Sequence, residues 1–330
     1  MAHGARLNVS SEQAFPALSA MAQEFGLAVE TAEGSLVINA PLGRVSLLAD
    51  GQMTEVEFTS DTAPQLQLLK DLYAQRFAKL GLDDGIEWRA PEQRAPLNQH
   101  LTRIEGFTRI SPNFTRLRLS GDFSAFQKTG AGLHFRPLFG PEGAPWPYLD
   151  DRGLTTWPEG PGAWHRPPYT VRKQADGWID VDIVLHAGGR VTEWCERAEV
   201  GQELAIMGPS GGSQPEAGWL GLFGDETALP VIMRMIEDAT AGTQGIAYLA
   251  LRDDADLQAL PETDITVQRV DMADADALTW ALEATVLPDN DRHLFFAAER
   301  NQASRAREIY RAKGLTAAES KAASYWTRHS

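Results

Sequence analysis

Cysteine is almost missing from this 330-residue chain: Cys195 stands alone, so no internal disulfide framework or thiolate metal cage is available. Its expected role is that of a small, half-buried residue. Positive charge is also scarce, with 30 Lys and Arg against 45 Asp and Glu and a formal net charge of −15. No long Lys/Arg stripe occurs, which argues against nucleic acid or an anionic membrane as partner. Missing too is any run near the ~20 apolar residues that a membrane-spanning helix needs. The opening "MAHGARLNVSSEQ" lacks the basic-then-apolar layout of a secretory leader, and a cytoplasmic location is the expectation. No GxGxxG occurs where a dinucleotide site would carry one. What is present is globular: 43% hydrophobic residues, enough to bury cores in two or three domains.

Residues 1–92 read as a small α+β accessory domain. "SEQAFPALSAMAQEFG" is a helix candidate ending at Gly26, with Pro16 delaying its regular part. "SLVINAPLGRVSLLADGQMTEVEFTS" alternates like a strand meander. "LQLLKDLYAQRFAKLG" places Leu69, Leu72, Tyr73, Phe77 and Leu80 on one helical face, with Gly81 as the stop. The Pro-marked "RAPEQRAPLNQH" then links to residues 93–214, which read as an antiparallel β-barrel. In "WIDVDIVLH", Ile179, Val181, Ile183 and Leu185 alternate with Asp180 and Asp182; Leu117 and Leu119 likewise alternate with Arg116 and Arg118. Residues 215–330 alternate apolar strands ("GWLGLF", "GIAYLAL", "DITVQRV", "RHLFFAA") with helical segments, the pattern of an α/β parallel sheet.

Three stretches carry the chemistry. "GDETALP" (224–230) reads as a strand ending at Phe223, a turn allowed by Gly224, and a helix capped by Thr227 with Pro230 third. Its N-terminal amides would suit a pyrophosphate, although any capped βα junction shares this geometry. In "HRPPYTVR" (165–172), a guanidinium could pair with a phosphate, the Tyr ring could pack on a flavin, and Thr could bond its edge. "IVLHAGGRVTEW" (183–194) runs from a strand through His186 and glycines into a short helix, a second diphosphate-type terminus. A lone His at a strand end is also an ordinary structural residue.

Together these stretches resemble the siderophore-interacting proteins, flavin-dependent ferric-siderophore reductases of the ferredoxin-reductase-like superfamily. GDETALP matches that family's turn in all seven residues, and "GPSGG", "FFAAER" and the closing "YW" agree further. The N-terminal part resembles a small domain of unknown function fused ahead of some members. The resemblance implies FAD on Arg166, Tyr169, Thr170, Val171, Arg172, Val184, His186, Gly189, Val191, Thr192 and Trp194. It implies NADPH or NADH on Gly224, Asp225, Glu226, Thr227, Ala228, Pro230, Arg252, Ala298 and Glu299. The turn would serve in place of a glycine fingerprint, its helix N-terminus taking the phosphates. Departures are specific: Pro167 stands where the family's first Arg lies, and G-P-A-S reads Gly189, Arg190, Val191, Thr192.

A ferric siderophore is an anionic chelate, so positive charge is expected beside the flavin, with Arg136, Arg172, Arg190, Arg300 and Lys321 as candidates. In "LALRDDAD", Arg252 would favour the 2′-phosphate of NADPH, and Asp253 or Asp254 the ribose of NADH. The resemblance tips the choice to NADPH and leaves a ferredoxin-type donor open. No side-chain nucleophile or metal ligand is called for, since the flavin carries the chemistry. Two other readings stand beside this one: a general NAD(P)H:flavin oxidoreductase acting on other ferric chelates or quinones, and a module whose N-terminal part binds the chelate.

Overall fold

The computed structural model describes residues 1–128 and 130–328. The chain opens with β1 (Ala2–Leu7), α1 (Ser11–Glu24), β2 (Ala28–Ala32), β3 (Ser35–Ala40), β4 (Gly43–Asp50) and β5 (Met53–Thr59). After these come α2 (Ala63–Lys79) and β6 (Glu87–Trp88). Strands then predominate: β7 (Gln99–Ser111), β8 (Phe114–Ser120), β9 (His134–Pro137), β10 (Tyr148–Leu149) and β11 (Thr155–Thr156). β12 (Tyr169–Thr170), β13 (Lys173–Ala175), β14 (Trp178–Val184), α3 (Arg190–Arg197) and β15 (Glu203–Ser210) follow. The remainder alternates: β16 (Trp219–Asp225), α4 (Leu229–Glu237), β17 (Gln244–Ala250), β18 (Asp264–Val270), α5 (Ala277–Ala284), β19 (Arg292–Glu299), α6 (Arg300–Ala312) and β20 (Ser320–Trp326).

Two compact units result, the first of residues 1–100, 136–167 and 205–210, the second of residues 101–135, 168–204 and 211–330. In the first, the order β2-β3-β4-β5-β1-β6 makes a six-stranded antiparallel sheet, with α1 and α2 packed on it. Its core joins Leu7, Leu18, Phe58, Tyr73 and Phe77, all fully buried. Helix α1 starts at Ser11 and runs through Pro16 rather than beginning late. Pro16 is exposed, so the Glu12 carbonyl that loses its partner faces water. On α2 the expected face is buried at Leu69, Tyr73 and Phe77, whereas Leu80 is the exposed C-cap.

A second small core in this unit gathers Leu138, Trp164 and Ala205, with Trp146, Trp157 and Met207 at its margin. Helix α2 is bound to the loop between β10 and β11. Lys70 Nζ donates to the Gly153 carbonyl at 2.9 Å, Gln67 Nε2 reaches the same oxygen at 3.2 Å, and Asp71 accepts from Thr155 N and Oγ1. Lys70 is 2% exposed, and burial lowers its pKa to about 8 against the pull of Asp71 and Asp150.

In the second unit β7, β8, β14 and β13 follow one another antiparallel, and β12 pairs with the first residues of β9. Cross-strand register sets Arg116 opposite Asp182 and Arg118 opposite Asp180. Both pairs are bidentate, at 2.7 and 2.9 Å and at 2.8 and 2.9 Å. That register explains how two aspartates lie 2% exposed. The C-terminal part is a five-stranded parallel sheet in the order β18-β17-β16-β19-β20, with α4, α5 and α6 packed against it. Among the described residues no helix is long and apolar enough to cross a membrane.

Candidate functional site

Two clusters in the second unit and one in the first collect the residues singled out by sequence. Strand β12 packs beside β14, whose exit leads through His186 into α3. The Tyr169 hydroxyl is held protonated by burial and feels Cys195 on α3, which brings β12 and α3 together. Cys195 is half-buried, and burial pushes its thiol up to about 12, so it is no thiolate nucleophile. Thr170 and Val171 are 5% and 1% exposed, and the Val171 amide is taken by the Leu133 carbonyl.

The approach to α3 is shaped by its turn. His186 N donates to Thr192 Oγ1 at 3.1 Å, and the exposed imidazole turns to the Ala187 carbonyl. A Cβ on Gly189 would lie 2.7 Å from the His186 ring and 3.0 Å from Thr192 Oγ1, so a larger residue there would displace the exposed imidazole from the turn. Gly189 is the N-cap, and no side chain caps the helix. The amides at the start of α3 are therefore a donor set suited to a diphosphate, with positive dipole behind them. Trp194 stacks edge-on against Phe107, Val191 is buried and Val184 half-buried. An uncapped amide turn beside a half-buried tyrosine fits an FAD.

Arg172 behaves otherwise than expected. It is 2% exposed, and its Nη1 and Nη2 bind the two Glu237 oxygens at 2.5 and 2.6 Å, with Asp182 at 3.6 Å from Nε. It fastens the segment after β12 to α4 and presents neither terminal nitrogen to a cofactor or chelate. Arg234 completes the fastening by donating to the Val171 carbonyl at 2.7 Å.

The GDETALP turn is corrected in its details. Strand β16 runs through Asp225, a short 3₁₀ turn covers Glu226–Ala228, and α4 begins at Leu229 with Pro230 second. The cap is Asp225, not Thr227: its Oδ1 accepts from Thr227 N at 2.9 Å and from Thr227 Oγ1 at 2.5 Å. Its Oδ2 accepts from Trp326 Nε1 on β20 at 2.6 Å. Burial raises the Asp225 pKa, and these donors oppose the rise. Asp225 thus takes the Thr227 and Ala228 amides of the 3₁₀ turn, while α4, with Ala228 at its N-cap, has no side-chain cap. Gly224 is there for packing: a Cβ would meet Ala228 Cβ at 2.6 Å and Ile232 Cδ1 at 2.7 Å. Ala228 is fully buried.

Arg252, expected at a 2′-phosphate, instead binds Glu226 Oε2 at 2.6 Å and the Leu185 carbonyl at 3.0 Å. Burial raises the Glu226 pKa, with Arg252 opposing. Asp253 caps the next turn at Ala255 N, and Asp254 pairs with Arg269. At the end of β19, Ala298 is fully buried and Glu299 is the N-cap of α6. Burial works against the Glu299 carboxylate, yet amides of Asn301, Arg328, Gln302 and Arg300 hold it below the usual range. These positions lie at the carboxyl ends of β16, β17 and β19, where parallel sheets bind ligands.

The basic candidates separate. Arg136 and Arg166 meet in the first unit, where Arg136 Nη1 donates to the Arg166 carbonyl at 2.6 Å. Arg190, Arg300 and Lys321 are exposed on three different elements of the second unit; Lys321 Nζ stands beside Gly212. Among the described residues no ion pair engages any of these five. Sequence reasoning missed Trp157, over whose ring the Arg166 guanidinium lies at 4.1 Å, and Trp326, the partner of Asp225. The only cue to Trp157 was an aromatic-rich loop, "TTWPEGPGAWHRPP".

Comparison with known proteins bears on this geometry. Residues 103–213 match the model of the siderophore-interacting FAD-binding domain, and residues 217–329 that of the siderophore-interacting protein. The chain is 27% identical over 220 residues to the ferric vibriobactin reductase of Vibrio cholerae, spanning 61% of this chain and 79% of the relative. With the NADPH-dependent ferric-chelate reductase of Escherichia coli it shares 26% over 230 residues, 66% of this chain and 89% of the other. A siderophore utilization protein from T. fusca superposes with a TM-score of 0.62 at 25% identity, covering 70% of this chain and 93% of that one. The siderophore-interacting protein SipS of Aeromonas hydrophila gives 0.58 at 21%, covering 72% and 100%, a likeness of fold.

Proposed function

The chain belongs to the siderophore-interacting protein family, and from that premise we propose that it reduces ferric siderophores with FAD and NAD(P)H. The carrying observation is the uncapped α3 turn beside Tyr169, inside the segment that matches the family's FAD-binding domain. FAD held there would supply the conversion between two-electron and one-electron chemistry by which one hydride from NAD(P)H reduces two Fe(III) to two Fe(II), leaving NAD(P)⁺ and a proton. Siderophore oxygens hold Fe(II) far more weakly than Fe(III), so reduction is also release.

The protein's part is placement. Residues 1–92 act as the accessory domain, 93–214 as the FAD-binding barrel and 215–330 as the nucleotide domain. Amides opening α3 hold the flavin diphosphate, and Tyr169 with Thr170 borders the ring. The donor nucleotide lies at the carboxyl ends of β16, β17 and β19, where Thr227 stands half-buried. NADPH is the favoured donor, by likeness to the ferric-chelate reductase of Escherichia coli. The 2′-phosphate is not assigned to Arg252, since Glu226 holds it.

An anaerobic stopped-flow experiment tests this reading. Purified protein is expected to be yellow, to bleach with NADPH faster than with NADH, and to regain colour on adding a ferric siderophore. Colourless protein that gains no flavin on reconstitution would sink the proposal. Comparable kcat/KM for ferric citrate, quinones and siderophores would move it to the general oxidoreductase reading.

A further inference from the structure

Two cavities in the first unit share a wall. One of about 280 Å³ is lined by Leu68, Leu72, Arg136, Arg166 and Met207 among others. The second, of about 510 Å³, extends past Trp157 to Trp88. Asp71, Gln75, Trp157 and Arg166 line both, so they border one another and reach the size of a small-molecule site. Helix α2 of the N-terminal module supplies Leu68, Asp71, Leu72 and Gln75 to the lining.

The charge in this space is unbalanced. Arg136 and Arg166 stand side by side, and among the described residues no carboxylate pairs with either. Desolvation lowers both guanidinium pKa values, and Arg136 lowers that of Arg166 further. The nearby carboxylates are engaged elsewhere: Asp71 binds Thr155 and Gln67, and Asp150 binds Arg152. Exposed Asp83 lines only the larger cavity. In a chain of formal charge −15, two adjacent unpaired cations against a tryptophan face call for an anion.

Resting on the reductase reading above, we propose that this space takes the iron chelate, that the chelate is a multiply anionic catecholate, and that α2 selects it. Three catecholate dianions around Fe(III) make a trianion with aromatic rings, whereas three hydroxamates make a neutral complex. The trianion offsets both guanidiniums, and its rings suit Trp157, Leu68 and Leu72. The wall is fixed rather than loose, because Gln67, Lys70 and Asp71 on the same helix are bonded to the 153–155 loop. The accessory module is thereby part of the substrate site, and residues 68, 72 and 75 determine its specificity.

The test uses full-length, flavin-loaded protein and two redox-inert probes, gallium(III) tris-catecholate and gallium(III) tris-acetohydroxamate, titrated calorimetrically. The catecholate is expected to bind at least about tenfold tighter. Leu72→Trp, which fills the smaller cavity, and Gln75→Trp, at an exposed position that tolerates bulk, are each expected to weaken it about tenfold or more. Arg136→Gln is expected to narrow the preference between the probes. An unchanged flavin-to-protein ratio shows that each variant is folded. Equal affinity for the two probes, or unchanged catecholate affinity in both helix variants, would overturn the inference. Wild-type protein that binds the gallium catecholate as expected yet carries no flavin keeps the cavity assignment and overturns the reductase reading alone.

Discussion

Asp225 shows how much a single side chain can hold. One carboxylate satisfies the Thr227 amide and hydroxyl and the Trp326 indole, joining the end of β16 to β20. Asp225→Ala strands three donors and is expected to cost about 2–4 kcal/mol, read as a lower urea midpoint at constant slope. Beside it, Gly224→Ala forces a methyl within 2.6 Å of Ala228 Cβ and is expected to cost about 1–3 kcal/mol on the same assay. The seven-residue turn was legible from sequence, and so was its place after a strand. The fate of its carboxylates was not, because Trp326 lies 101 residues away and Arg252 follows a different strand, β17. A pattern read locally sees the cap position but not the partner that long-range pairing delivers.

Elements carry a second set of linkages. Arg172 ties β14 to α4, its guanidinium meeting Asp182 on the strand and Glu237 on the helix. Removing Arg172 leaves Glu237 without its partner while Asp182 keeps Arg116: Arg172→Leu is expected to cost about 3–5 kcal/mol, and Arg172→Leu with Glu237→Leu to recover part of that. Denaturant titrations of both variants check the pair. A double variant no more stable than the single one would show that Asp182, not Glu237, carries the penalty. Alternation along "WIDVDIVLH" identified the strand correctly, yet nothing in a single strand shows that Asp180 and Asp182 are buried. Their burial depends on which residues of β8 lie opposite. The β1 strand was missed for a related reason: its pairing with β5 across the 45 residues between Leu7 and Met53, not its composition, makes it a strand. Helix α1 was placed late because Pro16 was given more weight than its exposed setting warrants.

For the molecule as a whole, pH and salt report on charges that the fold has buried or left unpaired. Burial, with Lys70 and Arg89, lowers the His3 pKa from 6.5 to about 4. The unfolded chain binds this proton near pH 6.5, and the folded one only near 4, so His3 draws stability away as pH falls through that window. The loss is on the order of 3 kcal/mol at most, and His3→Gln is expected to flatten the Tm profile between pH 6.5 and 4. Lys70 acts in the same direction at high pH: with its folded pKa lowered from 10.5 to about 8, its burial penalty is relieved, and stability regained, as pH rises through that window. Salt addresses the chelate. A trianion approaching a chain of formal charge −15 is repelled at long range and attracted only at the arginine pair. Raising ionic strength from 10 to 150 mM, over which the screening length falls from roughly 30 to 8 Å, is therefore expected to raise kcat/KM for a catecholate by roughly two- to threefold. A fall would mean that local attraction outweighs the global field.

Helix α2 divides its duties by position. Residues 67, 70 and 71 grip the backbone of the 153–155 loop, while 68, 72 and 75 border empty space on an adjacent stripe. Anchoring and discrimination are thus separable along one short helix, so the discriminating positions are free to vary while the grip is kept. Re-tooling this protein for a different iron carrier becomes an exercise in three codons.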